Sequence, residues 1–216
     1  MQGLLHNAEG VEVTMRGQWA AHFGNDKPIT LELACGGGEY AVGLARLYPE
    51  RNFIGLDIKG ARIWRGARQA QREGLPNVAF IRSRIEELAL LFAPDEVAEI
   101  WITFPDPFLR EGKAQKRLTS ARFLALYQKV LRMGALLHLK TDEPNLYHFT
   151  LDTIAEQGGT LHYADPNIYT SPLPLPELDI KTYYEGLDIA QESTVKYIRF
   201  SLPSTPIVVS AKKNEE

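Results

Sequence analysis

The sequence predicts an α/β protein, a Rossmann-like, doubly wound and mostly parallel seven-stranded sheet closed by an antiparallel strand. Three observations point there. Short apolar runs at 29–33, 52–57, 78–82, 99–103 and 135–140 alternate with stretches of helical period, the rhythm of βαβ units. The first run leads into three successive glycines and then a helix, and acidic residues stand at or just past several strand ends. At 216 residues the chain suits one such domain with a short elaboration, too little for a second domain of ordinary size. Its expected divisions are an N-terminal segment (1–28), the catalytic-type domain (29–205) and a C-terminal tail (206–216).

In the N-terminal segment a short helix is expected over 14–22, ending at Gly24. The first strand alternates Ile29, Leu31 and Leu33, and Y-A-V-G-L-A-R-L over 40–47 carries apolar residues at helical spacing. The second strand, 52–57, ends at Asp57. The helix that follows, 59–73, sets Arg62, Arg65, Arg68 and Arg72 along one side, either a solvated face or a basic stripe available to phosphates. Gly74-Leu75-Pro76-Asn77 breaks it before the third strand, 78–82, after which Ser83, Arg84, Ile85 and Glu86 fall at the carboxyl end, where open parallel sheets bind ligands. The fourth strand, 99–103, runs into F-P-D-P-F. A helix over 120–131, a strand over 135–140 after Gly134, and a helix over 146–156 stopped by Gly158-Gly159 complete the alternation. The segments 160–164 and 195–202 read as a closing antiparallel pair. Between them lie a polyproline-like connector, 166–177, and a polar piece, 179–191; the last seven residues read as a frayed tail.

A net charge of −3 gives no global attraction to nucleic acid, so any such binding needs a local patch. One cysteine, Cys35, permits no internal disulfide and reads as a small buried residue. The first residues lack a basic n-region and a long apolar run, and no eighteen-residue apolar stretch occurs, so a cytoplasmic protein with no membrane partner is expected. No metal site is expected.

The stretch L-E-L-A-C-G-G-G-E-Y (31–40) is the clearest ligand signal. Glycines let a backbone approach a nucleotide-like ligand, and an acid about twenty residues on grips a ribose, the place of Asp57. Gly36, Gly38 and Ala41 satisfy the loose dinucleotide spacing, but Glu32 inside the strand would crowd a pyrophosphate. It suits a ligand with a cationic amino-acid end, and S-adenosylmethionine is the expected cofactor. The second signal is T-F-P-D-P-F-L-R-E-G-K-A-Q-K-R-L-T (103–119). Two prolines hold Asp106 just past a strand end, and Arg110, Lys113, Lys116 and Arg117 follow against one acid, Glu111, as a candidate phosphate-facing patch.

Together with I-G-L-D, L-K-T-D and T-Y-Y-E, these motifs resemble, in order and over about residues 29–202, the bacterial tRNA (guanine-N7-)-methyltransferases, which methylate guanosine 46 in the tRNA variable loop. The resemblance implies the class I S-adenosylmethionine-dependent methyltransferase fold and a set of roles. Glu32, Gly36, Gly38, Asp57, Arg84, Ile85 and Asp106 would bind the cofactor, with Arg84 standing where the family usually has an acid. Asp106 would be catalytic. Arg110, where the family usually has a lysine, Lys116, Arg117, Asp142, Thr182, Tyr183, Tyr184 and Glu185 would hold the tRNA and its target guanosine. The alternatives are a methyltransferase acting on another RNA or a small molecule, and a tRNA-binding protein of this fold without turnover; a nicotinamide-dependent oxidoreductase fits neither the length nor Glu32. Monomer and homodimer remain equally open.

Overall fold

The computed structural model describes residues 5–6, 12–13, 15–186 and 194–209. Of the expected C-terminal tail, 206–216, residues 210–216 lie outside the described residues, as do residues 187–191 of the polar piece and the two that follow them.

The elements follow one another as β1 (Leu5–His6), β2 (Glu12–Val13), α1 (Trp19–Phe23), β3 (Ile29–Leu33), α2 (Glu39–Leu47), β4 (Asn52–Asp57), α3 (Gly60–Glu73), β5 (Val78–Arg82), α4 (Leu88–Leu91), β6 (Val97–Thr103), α5 (Ala121–Tyr127), β7 (Leu131–Thr141), α6 (Pro144–Glu156), β8 (Thr160–Asp165), α7 (Tyr183–Gly186) and β9 (Lys196–Ser201). β1 and β2 form a small antiparallel ribbon, and the other strands make one sheet in the order β5-β4-β3-β6-β7-β9-β8. All its ladders are parallel except the two that β9 makes, with β7 and with β8. The expected fold is therefore the one observed, and β9 lies inside the closing pair, between β7 and β8.

Strand order explains where a ligand can sit. From β3 the chain winds outward to β4 and β5, then returns to β6 on the other side of β3, so a crevice opens between the carboxyl ends of β3 and β6. The glycine turn leaves one of these ends and F-P-D-P-F leaves the other.

The two faces of the sheet differ. Alternation sends Leu31, Leu33, Ile54, Leu56, Ile100 and Ile102 to an apolar face covered by α1, α4, α5 and α6, where Trp19 stacks on Phe92. The other face carries Thr30, Glu32, Glu99, Thr103, His138 and Lys140 among the aromatic rings of Tyr40, Trp101 and Tyr197. His138 lies flat on Trp101, 3.9 Å between ring centroids, with Nε2 2.8 Å from Glu99 Oε1 and Nδ1 2.7 Å from the Tyr197 hydroxyl. Arg51 and Thr30 complete the partners of Glu99.

Two expectations need correction. The helix expected over 120–131 stops at Tyr127, and β7 begins at Leu131, not Ala135. Leu131 pairs with Val97, and the Val97 N–H donates to Val130 O, so residues that read locally as helix are drawn into the sheet. The connector over 166–177 is not an open spacer. Leu173, Leu175, Leu178 and Ile180 turn inward onto the Tyr40–Trp101 cluster, a 3₁₀ turn forms at Pro176–Asp179, and the Tyr40 hydroxyl donates to Glu177 O at 2.7 Å. This strap closes the polar face over α2.

Candidate functional site

β3 is buried along its length, and its last residues turn sharply. Ala34 (φ 55°), Gly36 (φ 54°) and Gly38 (φ 75°) are all left-handed, and Gly38 N–H donates to Cys35 O at 2.7 Å. α2 starts at Glu39 with no side-chain cap from its neighbour. Glu32 supplies the cap from within the strand: its Oε2 accepts the Ala41 N–H at 2.8 Å, and its Oε1 accepts the Thr103 hydroxyl at 3.1 Å. Only 2% exposed, this carboxyl is pushed up to about 8, chiefly by burial, with the charges of Glu39 and Asp57 adding to it.

Asp57 binds the turn as well. Its Oδ2 accepts the Gly36 N–H at 3.0 Å and its Oδ1 the Lys59 N–H at 2.8 Å, which ties the glycine turn to the end of β4. Each oxygen keeps a further lone pair for a hydroxyl donor. Among the described residues no salt bridge reaches Glu32, Glu39 or Asp57. Three carboxyls around one turn, without a cation of the chain's own, form a donor set that fits a ligand bringing positive charge and a diol, as S-adenosylmethionine does.

Phe80 is a part of this turn that sequence reasoning missed. Its ring fills a slot left by three glycines: a Cβ at Gly38 would stand 2.4 Å from it, and at Gly55 or Gly66 2.7 Å. The signal, glycines recurring at separated points of strand, turn and helix, becomes readable only once they meet. Of the neighbouring expected residues, Arg84 is exposed and starts the 3₁₀ turn Ile85–Glu87, while Ile85 packs half-buried against the apolar core.

At the end of β6 the backbone is again left-handed at Phe104 (φ 47°) and Phe108 (φ 42°), either side of P-D-P. Such conformations at non-glycine residues cost about 1–3 kcal/mol each and gather at sites where geometry matters. Asp106 is exposed, and its Oδ1 accepts the Phe108 N–H at 3.0 Å. Arg117 holds the loop from behind: its Nε donates to Pro107 O at 3.0 Å, its guanidinium reaches Phe108 O, and it lies 4.4 Å over the Phe149 ring. At 8% exposure Arg117 faces inward, unlike Arg110, Lys113 and Lys116, which stay exposed around the 3₁₀ turn Glu111–Lys116.

β7 delivers K-T-D. Asp142 is exposed, with its carbonyl accepting from Lys196 Nζ at 3.1 Å. Lys140, which sequence reasoning passed over, is 0% exposed. Its ammonium donates to Leu178 O at 3.0 Å, Ile180 O at 3.1 Å and Glu185 Oε2 at 2.9 Å, using all three protons. Burial pulls this lysine below its ordinary value, with Glu185 opposing. Glu185 also accepts the Tyr169 hydroxyl at 2.6 Å and the Thr182 N–H at 3.2 Å, so Thr182 and Glu185 are joined to the sheet through Lys140. Tyr183 is exposed, and Tyr184 contributes backbone to α7.

Glu32, Asp57, Arg84, Asp106 and Asp142 thus come from the carboxyl ends of five adjacent strands of one sheet. A cavity of about 580 Å³ lies at the opposite end, between the start of β7 and residues 202–207, away from all of them. Among the described residues no His/Cys/Asp/Glu cluster is arranged to hold a metal, and no helix is long and apolar enough to cross a membrane.

A family model described as a putative methyltransferase matches residues 26–197. A tRNA (guanine-N(7)-)-methyltransferase of Porphyromonas gingivalis is 51% identical over 190 residues, 87% of this chain and 77% of that relative. The protein of the same name from Christiangramia forsetii is 46% identical over 190 residues, 87% and 85% of the two chains. Among solved structures, the 16S rRNA methyltransferase KamB superposes with a TM-score of 0.68 at 16% identity, covering 94% of this chain and 100% of that one. A 16S rRNA (adenine(1408)-N(1))-methyltransferase from Catenulisporales acidiphilia, solved with the cosubstrate SAM, gives 0.60 at 18% identity over 96% and 100%. At such identities the structural likeness establishes the fold, and the sequence likeness the rest: this chain belongs to the tRNA (guanine-N(7)-)-methyltransferase family.

Proposed function

We propose that the chain transfers a methyl group from S-adenosylmethionine to N7 of guanosine 46 in the variable loop of tRNA, acting in the cytoplasm. The observation that carries this reading is the row of carboxyls at adjacent strand ends, Glu32, Asp57, Asp106 and Asp142, none in a salt bridge among the described residues. Family membership supplies the substrate.

The cofactor brings a methyl group on a positively charged sulfonium. Glu32, beneath the glycine turn, answers its cationic end, and Asp57 its ribose hydroxyls. Guanine N7 already carries a free lone pair, so the chain needs no base to expose it, and positioning dominates. Asp106 and Asp142, aimed at the edge of the purine, accept its N1–H and amino protons and stabilise the positive charge that grows on the ring. A guanosine in folded tRNA has to be drawn from its stack. Thr182 to Glu185 receive it, with the exposed ring of Tyr183 as the stacking surface. Arg110 and Lys116 meet phosphates, whereas Arg117 keeps the Asp106 loop in shape.

The test is to incubate the protein with labelled S-adenosylmethionine and bulk tRNA, digest the RNA and look for 7-methylguanosine. Asp106→Ala is expected to abolish the product while leaving cofactor binding largely intact. Near-normal turnover by that variant removes Asp106 from the chemistry. Binding of tRNA without any methylated product identifies a protein that keeps the fold and has lost turnover.

A further inference from the structure

The exposed side of α3 is a basic surface that the chemistry above does not use. Arg62, Arg65, Arg68 and Arg72 recur every three or four residues, and all four are exposed. Over the helix they form a stripe about 15 Å long. Among the described residues Arg62, Arg65 and Arg72 form no salt bridge. The one acid of the helix, Glu73, is taken by Arg46 of α2 through two bonds of 2.6 Å. Trp64 is 58% exposed on the same surface, with the Arg68 guanidinium 4.9 Å from its ring centroid. On a chain of net charge −3, guanidinia with no carboxylate partner among the described residues, gathered beside an open indole, make a surface that suits an external anion.

The stripe is fixed relative to the crevice. α3 starts three residues after Asp57, and its inner side touches the glycine turn so closely that a Cβ at Gly66 would stand 2.7 Å from Gly37 O. Arg82 folds against the start of the helix, its Nε donating to Ile58 O at 3.3 Å. The arginines therefore lie on the β4–β5 side of the glycine turn, while Arg110, Lys113 and Lys116 lie on the β6 side. A long polyanion whose target base enters between β3 and β6 has cationic surface on both flanks.

We propose that this side of α3 is a second docking surface for the sugar-phosphate backbone of the substrate RNA, the arginines meeting phosphates and Trp64 stacking on a base or ribose. The inference rests on the reading of tRNA as substrate. An anionic membrane fits less well, because a single exposed indole gives little apolar area to insert beside four charges.

The test uses the triple variant Arg62→Gln/Arg65→Gln/Arg72→Gln, whose side chains are exposed and carry no salt bridge among the described residues, so folding is preserved. Affinity for tRNA is measured across a salt titration. The variant should bind more weakly at low salt, and the slope of log affinity against log salt should fall by about two, at roughly 0.7–0.9 for each phosphate that is no longer neutralised. Affinity for S-adenosylmethionine and turnover at saturating tRNA should not change. Independently, Trp19 and Trp101 are each 1% exposed, so acrylamide quenching reports chiefly on Trp64, and tRNA should protect that signal in the wild type and not in Trp64→Phe. An unchanged slope, or a Trp64 quenched equally with and without tRNA, overturns the proposal even if 7-methylguanosine is formed. A patch-dependent tRNA affinity without product would instead overturn the methyl-transfer reading alone. Protection of Trp64 by phosphatidylserine vesicles and not by tRNA would overturn the RNA assignment.

Discussion

Replacing Lys140 by methionine keeps an unbranched stem of similar length and removes the charge that joins β7 to the strap. In the wild type the ammonium satisfies two buried carbonyls, Leu178 O and Ile180 O, and pairs with Glu185, whose side chain is 4% exposed. Without it, Glu185 keeps the Tyr169 hydroxyl, the Thr182 N–H and, at 4.0 Å, the largely solvated ammonium of Lys181, a weak replacement for a buried partner. Removing one member of a buried ion pair costs about 3–5 kcal/mol. For a chain of 216 residues that is a fall in melting temperature on the order of 10 °C. Urea and thermal unfolding of Lys140→Met measure it directly. Because an apolar pair of similar volume can replace a buried ion pair at little cost, Lys140→Met/Glu185→Leu should recover a large part of the loss. If the single variant unfolds within about 1 kcal/mol of the wild type, or the double variant is as unstable as the sum of the two singles, Lys140 does not anchor the strap as described.

Glu32 gives stability a pH dependence of unusual sign for a carboxyl. Its folded value, about 8, lies above the ordinary 4.5, so its contribution is full below 4.5 and is lost as pH rises toward 8. Urea unfolding without cofactor should show stability declining across that window, with a slope approaching about 1.4 kcal/mol per pH unit, and Glu32→Gln should flatten it; an equal decline in the variant rules Glu32 out. Gly38→Ala combines φ 75° with a Cβ 2.4 Å from Phe80, and should lower stability by more than about 1–2 kcal/mol, together with cofactor affinity measured by calorimetry. Arg117→Gln should lower kcat by loosening the Asp106 loop while leaving the salt slope of tRNA binding unchanged, since the guanidinium is spent on Pro107 and Phe108; a reduced slope would place Arg117 on the RNA after all.

The sequence was most readable where local and global preferences agree. β4 and β5 lie where alternation and the breaker G-L-P-N set them, and α3 ends at its left-handed Gly74. It was least readable where distant parts of the chain decide. Leu131 to Gly134 join a strand because Val97 is there to pair with, which no local period encodes. Lys140 looks like a surface lysine beside T-D until the strap, some forty residues later, folds over it. Arg117 belongs by spacing to a cationic run, yet the turn of the chain points it back into the protein, while its neighbours Lys113 and Lys116 face solvent. The left-handed Ala34, Phe104 and Phe108 carry no residue-type signal at all, since glycine or asparagine would be the ordinary choice there.

The position of β9 decides when the molecule can finish folding. Among the described strands β8 touches none but β9, and β7 has β9 as its one neighbour beyond β6, so until residues 196–201 arrive a growing nascent chain carries two raw strand edges separated by an empty lane. Lys140 and Glu185 are synthesised before that lane is filled, but the sheet that seats them is sealed only by the last of these strands to leave the ribosome. Shortening the chain to end before Lys196 would leave both edges open at once, which makes aggregation, and not merely lost activity, the expected fate of such a fragment.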